Sequence, residues 1–524
     1  MKRPLGAQIS HMLRDRGVEV IFGIPGVHNQ ELYRGIEESG ITHVLARHEQ
    51  GAGFMADGYA RASGQPGVAY VITGPGLCNI MTPMGQAYSD SVPMLVISSG
   101  LDETASRRGQ LHQMKDQQGA AATVCDWSEQ AMSSQAAYGL VERAFEEFET
   151  ARPRPKHIQV PIAQLVAEAD LPPFPNMPAH RALAGVPDVA PVVSLLNLAK
   201  RPLFILGGGA TSVLWRDVLA PLGIATIETF AGRGATGLNY ELNFGSCLSR
   251  DSSKEVIASA DLVVAIGTEL AEVDLWREDL GHSAPLVRVD LDPAVLSDGQ
   301  RATVKLMSDA DSFARALWTA TEGKPAAQGW SADEIAEWRA KWRAEADADR
   351  PGIVPVLDAL CQAVPLDAMI YSDMTQFAYV AKEVWPMSRP RHWHHPTGFG
   401  TLGYALPAAI GGAVARPGKP TMAIAGDYGF QYTLQELAVA VELGLSLPII
   451  IWDNGKLKEI EDSMIRAQIA PNAVVGRNPD FCKLAEAYGA KSATPATLEE
   501  MQEAVRAAFA ERGPTLIRLT PELS

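Results

Sequence analysis

The chain has 524 residues, 47% hydrophobic and 20% charged, which is the composition of an ordinary globular protein with a substantial apolar core. This length exceeds what a single core usually holds and predicts about three domains. The formal net charge of −16 argues against nucleic acid or an anionic membrane surface as a partner.

The five cysteines are scattered without a Cys-x-x-Cys pair, which predicts neither a disulfide framework nor a zinc site and is typical of a reducing compartment. The first residues lead into an amphipathic helix rather than a secretory signal. No apolar run reaches about 18 residues, the length that a membrane helix requires. The sequence therefore predicts a cytoplasmic protein without a membrane-spanning segment.

The first stretch with functional character is a loop, Gly23 to Glu31, at the end of a predicted strand. It contains Gly26 and His28. The histidine could transfer a proton at a site, although a surface-loop histidine would give the same pattern.

A glutamate opens the next helix. Glu49 lies at the start of the small-residue segment Arg47 to Arg61. A carboxylate in the first helical turn also complements the helix dipole, so the position alone does not distinguish a structural from a chemical role.

A β-branched run from Val68 ends at Gly74-Pro75-Gly76 and predicts a strand followed by a helix. Thr73 and Asn79 flank this turn, whose backbone amides face the carboxyl end of the strand. His112, in the segment Gln110 to Met114, is a second candidate for proton transfer.

Two breaks divide the chain. The segment Glu168 to Pro178 contains four prolines and predicts a linker, and Thr321 to Gly329 precedes a capping-box pattern that begins at Ser331. The predicted domains are residues 1–170, 185–320 and 350–524.

In the middle domain, strands are predicted at Pro202–Leu206, Asp261–Ile266 and Leu286–Leu291. Gly207-Gly208-Gly209 follows the first of them but lacks the Gly-x-Gly-x-x-Gly spacing, so the sequence does not favour FAD or another nucleotide there. All three segments alternate strand and helix patterns, which predicts an α/β protein with three doubly wound parallel sheets.

The C-terminal segment carries a candidate metal site. Apolar strands, Thr421 to Ala425 and Pro448 to Trp452, deliver Asp427 and Asn454 to their carboxyl ends. One strand-helix-strand crossover separates them, so both side chains are expected at the same sheet edge. A carboxylate and an amide oxygen are ligands that suit Mg²⁺.

Together these motifs resemble the thiamine diphosphate-dependent enzymes of the acetolactate synthase and 2-oxo acid decarboxylase type, whose signature is Gly-Asp-Gly followed by Asn-Asn. The chain departs from it at Tyr428 and Asp453. The resemblance implies thiamine diphosphate and Mg²⁺ as cofactors, with the metal held by Asp427, Asn454 and the backbone oxygen of Lys456.

The resemblance also implies roles around the cofactor. Glu49 would bond the aminopyrimidine ring so that the cofactor can lose its C2 proton, Leu402 would wedge the two rings into a V shape, and His28 and His112 would be catalytic. Further cofactor contacts are implied for Gly26, Thr73, Asn79, Gln376, Gly400, Gly426, Tyr428, Gly429 and Asn454.

In the family, a C2 ylid attacks a 2-oxo acid and loss of CO₂ leaves an enamine. The chain looks most like the branch that decarboxylates 5-guanidino-2-oxopentanoate (2-ketoarginine), with Glu459 and Asp462 as candidate ligands for the cationic group. An acetolactate synthase-like carboligase or acyltransferase is the alternative, and a catalytically silent cofactor-binding subunit is a third. The resemblance further implies a homodimer or homotetramer whose active sites lie between chains, so that Glu49 and Asp427 of one site come from different subunits.

Overall fold

The computed structural model describes residues 2–103, 109–173 and 188–523. They form three mainly parallel β-sheets flanked by helices, as predicted, and a two-stranded antiparallel sheet that pairs Arg3–Pro4 with Glu168–Ala169, and they belong to two compact units. The first unit contains the N-terminal and C-terminal sheets, and the second contains the middle sheet. Residues 174–178 of the predicted linker lie outside the described residues.

The N-terminal segment begins with a short strand and continues as alternating helices and strands. Its elements are β1 Arg3–Pro4, α1 Leu5–Asp15, β2 Val20–Gly23, α2 Gln30–Ser39, β3 Thr42–Leu45, α3 Glu49–Ser63, β4 Gly67–Val71, α4 Pro75–Ser89, β5 Met94–Gly100, α5 Gln117–Ala122, β6 Trp127–Gln130, α6 Ser134–Thr150, β7 Lys156–Pro161, α7 Ile162–Val166 and β8 Glu168–Ala169. The main sheet is parallel in the order β3-β2-β4-β5-β7-β6.

The middle segment is a smaller parallel sheet in the order β10-β9-β11-β12-β13. Its elements are α8 Ala190–Leu196, β9 Pro202–Leu206, α9 Trp215–Leu219, β10 Ala225–Glu228, α10 Ser253–Ser259, β11 Leu262–Ile266, α11 Glu272–Leu275, β12 Leu286–Asp290, β13 Val304–Met307 and α12 Ala310–Thr321. The three predicted strands are present, two of them shortened by one residue.

The glycine triplet after β9 has a packing role. The amide of Gly209 donates to the carbonyl of Gly267 at 2.9 Å. A Cβ at Gly207 would lie 2.8 Å from the carbonyl carbon of Gly267. The two backbones therefore approach too closely for side chains at these positions.

The C-terminal segment begins with the charged helix that the capping-box pattern predicted. The Ser331 side chain accepts from the Glu334 amide, although the Glu334 carboxylate bonds Arg201. The elements are α13 Ala332–Asp349, α14 Ile353–Ala363, β14 Met369–Ser372, α15 Gln376–Val384, β15 Trp393–His394, α16 Ala405–Ala415, β16 Thr421–Gly426, α17 Asp427–Thr433, α18 Leu437–Glu442, β17 Leu447–Trp452, α19 Lys458–Arg466, α20 Phe481–Ala487, β18 Lys491–Ala493, α21 Leu498–Ala510 and β19 Pro514–Leu519. Within the first unit the parallel strand order is β14-β16-β17-β19-β18.

Helices α3 and α16 pack directly against each other and join the two sheets of the first unit. A Cβ at Gly411 would lie 2.7 Å from the carbonyl carbon of Met55, and one at Gly58 would lie 2.6 Å from that of Ala408. Glycine at both positions therefore permits backbone-to-backbone contact. Because Glu49 is the first residue of α3, this contact helps to determine where Glu49 lies.

A buried polar network reinforces the same interface. The Tyr404 hydroxyl donates to Asp57 at 2.7 Å, and Arg61 pairs with Asp57 at 2.6 Å and with Asp90 at 2.9 Å. Each charged group has an opposite partner, as buried charges require. Among the described residues, no helix combines the length and apolar character needed to cross a membrane.

Candidate active site

The Glu49 carboxylate lies at the base of a small polar cluster in the N-terminal segment. Only 9% of the residue is exposed, and Asn79 Nδ2 donates to Glu49 Oε2 at 2.9 Å. A Cβ at Gly76 would lie 3.5 Å from Glu49 Oε1. The fold thus brings together two of the predicted site residues, Glu49 from the first turn of α3 and Asn79 from the second turn of α4.

The loop between β4 and α4 is held by partners that sequence reasoning missed. The Gly74 amide donates to Gln117 Oε1 at 2.8 Å, and both the amide and the hydroxyl of Thr73 donate to Ser99 Oγ at 3.0 and 2.9 Å. Gly74 has a φ of 73°, which favours glycine. These bonds fix the amides at the end of β4.

The two proton-transfer candidates, His28 and His112, lie next to each other. Their ring centroids are 5.0 Å apart with an interplanar angle of 65°, and both Nδ1 atoms are buried without a hydrogen-bond partner in the described part of the chain. Burial, with the nearby His112 ring, lowers the pKa of His28, while Asp102 opposes the shift. His28 is therefore neutral at pH 7 and able to accept a proton.

Gly26 lies beside this pair. Its amide donates to Asn29 Oδ1 at 2.8 Å, and a Cβ there would overlap the Ile72 side chain, 3.2 Å from its Cγ1. A side chain at this position would force the Ile72 side chain, next to Thr73, to move.

A buried aspartate organises the glycine-rich segment before α16. Asp373 Oδ2 accepts from the Gly403 amide at 2.8 Å, and the amides of Tyr404 and Ala405 also donate to the carboxylate. Burial raises the pKa of Asp373 to about 6, and these amide bonds oppose the shift. Leu402 is half-buried in this segment, and Gly400 is exposed with a φ of 66°.

The candidate metal ligands occupy adjacent strand ends, as the crossover argument predicted. Gly426 is in register with Trp452 in the parallel pair β16 and β17, so Asp427 and Asp453 follow side by side and Asn454 comes one residue later. Asp427 is 3% exposed. Burial and the neighbouring Asp453 raise the pKa of Asp427, while a hydrogen bond from Asn478 lowers it.

Asn478 and Arg518 complete this cluster and were not found from the sequence. Asn478 Nδ2 donates to Asp427 Oδ2 at 2.6 Å and to Asp453 Oδ1 at 2.9 Å. Arg518 Nε donates to Asp453 Oδ2 at 2.6 Å. The carboxylate that departs from the family signature thus has its own cation, supplied by the next strand.

Tyr428, the other departure, extends toward the same loop. Its hydroxyl lies so close to Gly476 that a Cβ there would overlap it, and that Cβ would be 3.2 Å from Tyr428 Cζ. Gly429 packs against Asp373, since a Cβ there would lie 2.7 Å from Asp373 Oδ2. Gly426 is buried at the end of β16.

The charged residues after the metal loop pair among themselves. Lys456 Nζ lies 3.0 Å from Glu461 Oε2, Lys458 pairs with Asp462, and Arg466 lies 3.6 Å from Glu459. Lys456, which precedes α19, and Lys458, its first residue, therefore each pair with a carboxylate of that helix. Gln376 begins α15, which belongs to the second unit.

Comparison with known proteins matches three family models along the chain. The descriptions are thiamine pyrophosphate enzyme N-terminal TPP binding domain for residues 3–120, central domain for residues 189–317 and C-terminal TPP binding domain for residues 373–519.

Similar proteins extend over nearly the whole chain. A probable 2-ketoarginine decarboxylase, AruI, of Pseudomonas aeruginosa is 42% identical over 98% of this chain and 93% of that protein. The acetolactate synthase large subunit of Haemophilus influenzae is 28% identical over 97% of this chain and 93% of its own length. The large subunit of acetolactate synthase isozyme 1 of Escherichia coli is 27% identical over 99% of this chain and 94% of its own length.

Proposed function

Because the chain belongs to the thiamine diphosphate-dependent enzymes, and is a 2-oxo acid decarboxylase or a related carboligase, we propose that it decarboxylates 5-guanidino-2-oxopentanoate with Mg²⁺ as the metal. The reaction would consume the 2-oxo acid and a proton and release CO₂ and 4-guanidinobutanal. The 42% identity to a probable 2-ketoarginine decarboxylase supports the substrate.

The single observation that carries a metal-dependent site is the register of β16 and β17, which sets Asp427 beside Asp453 and Asn454 at one sheet edge. The proposed donors are all oxygens, and the carboxylate among them, that of Asp427, is buried, so the residues present fit a hard divalent cation. We assign Asp427, Asn454 and the backbone oxygen of Lys456 as the metal ligands.

When bound, thiamine diphosphate supplies a nucleophilic carbon and an acceptor for the electron pair that departing CO₂ leaves behind. The chain's own residues would hold it. We assign Glu49 to the aminopyrimidine ring, Leu402 to the gap between the rings, and Gly26, Thr73, Asn79, Gln376, Gly400, Gly426, Tyr428 and Gly429 to surrounding contacts. The Asn79 amide would orient the Glu49 carboxylate through their 2.9 Å hydrogen bond.

His28 and His112 are proposed to move the proton that replaces the carboxyl group in the product. Their 5.0 Å ring separation allows both to reach one bound molecule. The lowered pKa of His28 leaves it neutral at pH 7, so it can relay a proton delivered by its neighbour.

The guanidinium of the substrate is proposed to lie against Glu459 and Asp462. Their present partners, Arg466 and Lys458, have side chains that are 67% and 36% exposed. The Arg466–Glu459 pair is the more exposed of the two, and an exposed ion pair contributes only about 0–1 kcal/mol, so a substrate cation can displace Arg466 at little cost.

The substrate test is incubation with thiamine diphosphate and Mg²⁺ against a panel of 2-oxo acids that includes pyruvate, benzoylformate, branched-chain acids and 2-ketoarginine, with CO₂ and organic product both measured. We expect equal amounts of CO₂ and aldehyde, with 2-ketoarginine preferred. A longer hydroxyketone from pyruvate would instead establish a carboligase, as in the acetolactate synthase relatives. No product from any acid would favour a silent cofactor-binding subunit.

The role of Glu49 is tested by Glu49→Gln, which should abolish exchange of the cofactor's C2 proton and leave cofactor affinity nearly unchanged. Unaltered turnover in this variant would refute the assignment. Absence of Mg²⁺-dependent thiamine diphosphate binding by the wild type would refute the metal-dependent site.

We also propose a homodimer or homotetramer whose active sites lie between chains. Mixing inactive Glu49→Gln and Asp427→Asn chains tests this directly. If each site takes the two residues from different chains, a mixed dimer has one intact site, and random mixing should restore about a quarter of wild-type activity. If both come from one chain, no intact site forms and activity stays at zero. A cytoplasmic location stays a prediction.

A further inference from the structure

A buried glutamate, Glu436, lies against the backbone that leads into Glu49. It ends the short 3₁₀ turn Leu434–Glu436, which connects α17 to α18, and its exposed fraction is 0%. Its two carboxylate oxygens lie 3.2 and 3.0 Å from the Arg47 amide nitrogen, and the His48 amide also donates to the carboxylate. None of the roles proposed above uses this group.

The turn held by Glu436 is the one that sets the direction of the Glu49 side chain. His48 is the N-cap of α3, and its Nδ1 accepts from the Gln50 amide at 3.1 Å. A Cβ at Gly51 would lie 2.7 Å from Glu436 Cγ. Glycine at position 51 therefore leaves space for the carboxylate to reach the start of the helix.

Two independent contacts thus hold Glu49. Its side chain is bonded by Asn79 from the N-terminal segment, and the backbone just before it is bonded by Glu436 from the C-terminal segment. A carboxylate that accepts buried amides is a strong anchor, because losing it leaves those donors without a partner.

We propose that Glu436 is a positioning residue for Glu49, fixing the Arg47–Glu49 backbone so that the Glu49 carboxylate is held in the orientation its chemistry requires. The inference rests on the role proposed for Glu49.

Titration of Glu436 makes its contact with the Arg47 and His48 amides depend on pH. Burial raises the pKa of Glu436 to about 7, against the opposing effect of the Arg47 and His48 amides and the Arg47 charge. Among the described residues, the charged side chain that acts on it is Arg47 at the start of α3, and the Arg47 guanidinium also pairs with Glu442 of α18 at 2.5 Å. Above pH 7 the ionised carboxylate accepts both amides, whereas protonation converts an acceptor oxygen into a donor and loosens the turn.

The first test uses the cofactor-free protein. Hydrogen-deuterium exchange of the Arg47 and His48 amides should be at least about tenfold faster in Glu436→Gln, since an amide bonded to a carboxylate loses its charged acceptor. Glu442→Gln is the matched control: it removes the same charge from a carboxylate that is 58% exposed and contacts the Arg47 guanidinium. It should leave exchange of these amides within about twofold of wild type.

The second test uses the cofactor-loaded protein. In Glu436→Gln, thiamine diphosphate affinity should stay within about threefold of wild type, whereas exchange of the C2 proton should be slower by about tenfold or more. The inflection near pH 7 that we expect in the wild-type plot of C2 exchange rate against pH should disappear. Glu436→Asp retains a carboxylate one methylene shorter. Glu436→Asp should keep an inflection in the C2 exchange profile, and its Arg47 and His48 amides should exchange at rates between those of wild type and Glu436→Gln. If the glutamine variant does not fold, the aspartate variant tests the positioning role in its place.

Wild-type amide exchange together with an unchanged pH profile in Glu436→Gln would overturn the inference. Failure of the proposed function would be distinguishable, because it would show as absent C2 exchange in the wild type itself.

Discussion

Replacing Gly411 by alanine should separate the two helices on which the active site depends. The added Cβ would lie 2.7 Å from the carbonyl carbon and 2.9 Å from the Cα of Met55. Non-bonded carbon atoms need about 3.5–4.0 Å, so α3 and α16 must move apart by roughly 1 Å. The opposing atoms are backbone, and no rotamer change can relieve the overlap.

The loss of unfolding free energy from the overlap should be about 3 kcal/mol, the upper end of the usual range for overpacked cores. Alanine is favoured over glycine inside a helix, and this preference offsets about 1 kcal/mol of the loss. The net destabilisation is therefore about 2 kcal/mol. Gly139→Ala is the matched control, since Gly139 is inside α6, is exposed, and a Cβ added there would meet no atom within 4 Å. There only the helix preference acts, and stability should increase by about 1 kcal/mol.

Thermal unfolding of the two variants, followed by calorimetry at equal protein concentration, measures these stability changes, which should be opposite in sign relative to wild type. Because Glu49 begins α3, Gly411→Ala should also slow C2 proton exchange in the loaded enzyme. Equal or increased stability of Gly411→Ala would refute the close approach of α3 and α16 as a determinant of this site.

Three further predictions concern the metal loop, the histidines and Glu436. Asp427→Asn should weaken Mg²⁺-dependent cofactor binding by about 100-fold. Asp453→Asn should change this affinity by less than about tenfold, because the Asp453 carboxylate is already bonded by Arg518 and Asn478. Titration calorimetry measures both affinities. His28→Asn and His112→Asn should each lower kcat by about 100-fold with little change in cofactor affinity, and a steady-state assay with normal kcat would exclude a role in proton transfer. Glu436 has a folded pKa of about 7 against an ordinary value of 4.5, so its protonated form is favoured by folding and its contribution to stability is lost as pH rises from about 4.5 through 7. The wild-type free energy of unfolding should therefore fall over this range by on the order of 3 kcal/mol relative to that of Glu436→Gln. Denaturant unfolding of both proteins at pH 5 and pH 7.5 measures this, and the same difference in unfolding free energy between them at both pH values would contradict it.

Much of the architecture follows from local patterns. The runs Pro202–Leu206 and Thr421–Gly426 are buried along their whole length and almost entirely apolar, because parallel strands are covered on both faces, and the apolar pattern is visible without a structure. Residues at the carboxyl ends of such strands, including Asp427 and Asn454, are placed on one edge by topology alone. The resemblance to thiamine diphosphate-dependent enzymes depended on these same strand-end motifs, and family comparison confirmed it.

The partners that hold those motifs were decided only by tertiary structure. Arg518 reaches Asp453 because β19 pairs with β17 in a register that sets Ile451 beside Arg518. Glu436 reaches the Arg47 amide because Gly51, which has no side chain, leaves space for its carboxylate at the start of α3. Local sequence shows which groups a strand or helix delivers. Which distant group meets them depends on strand order, register and helix approach, which are set by burial of the whole core.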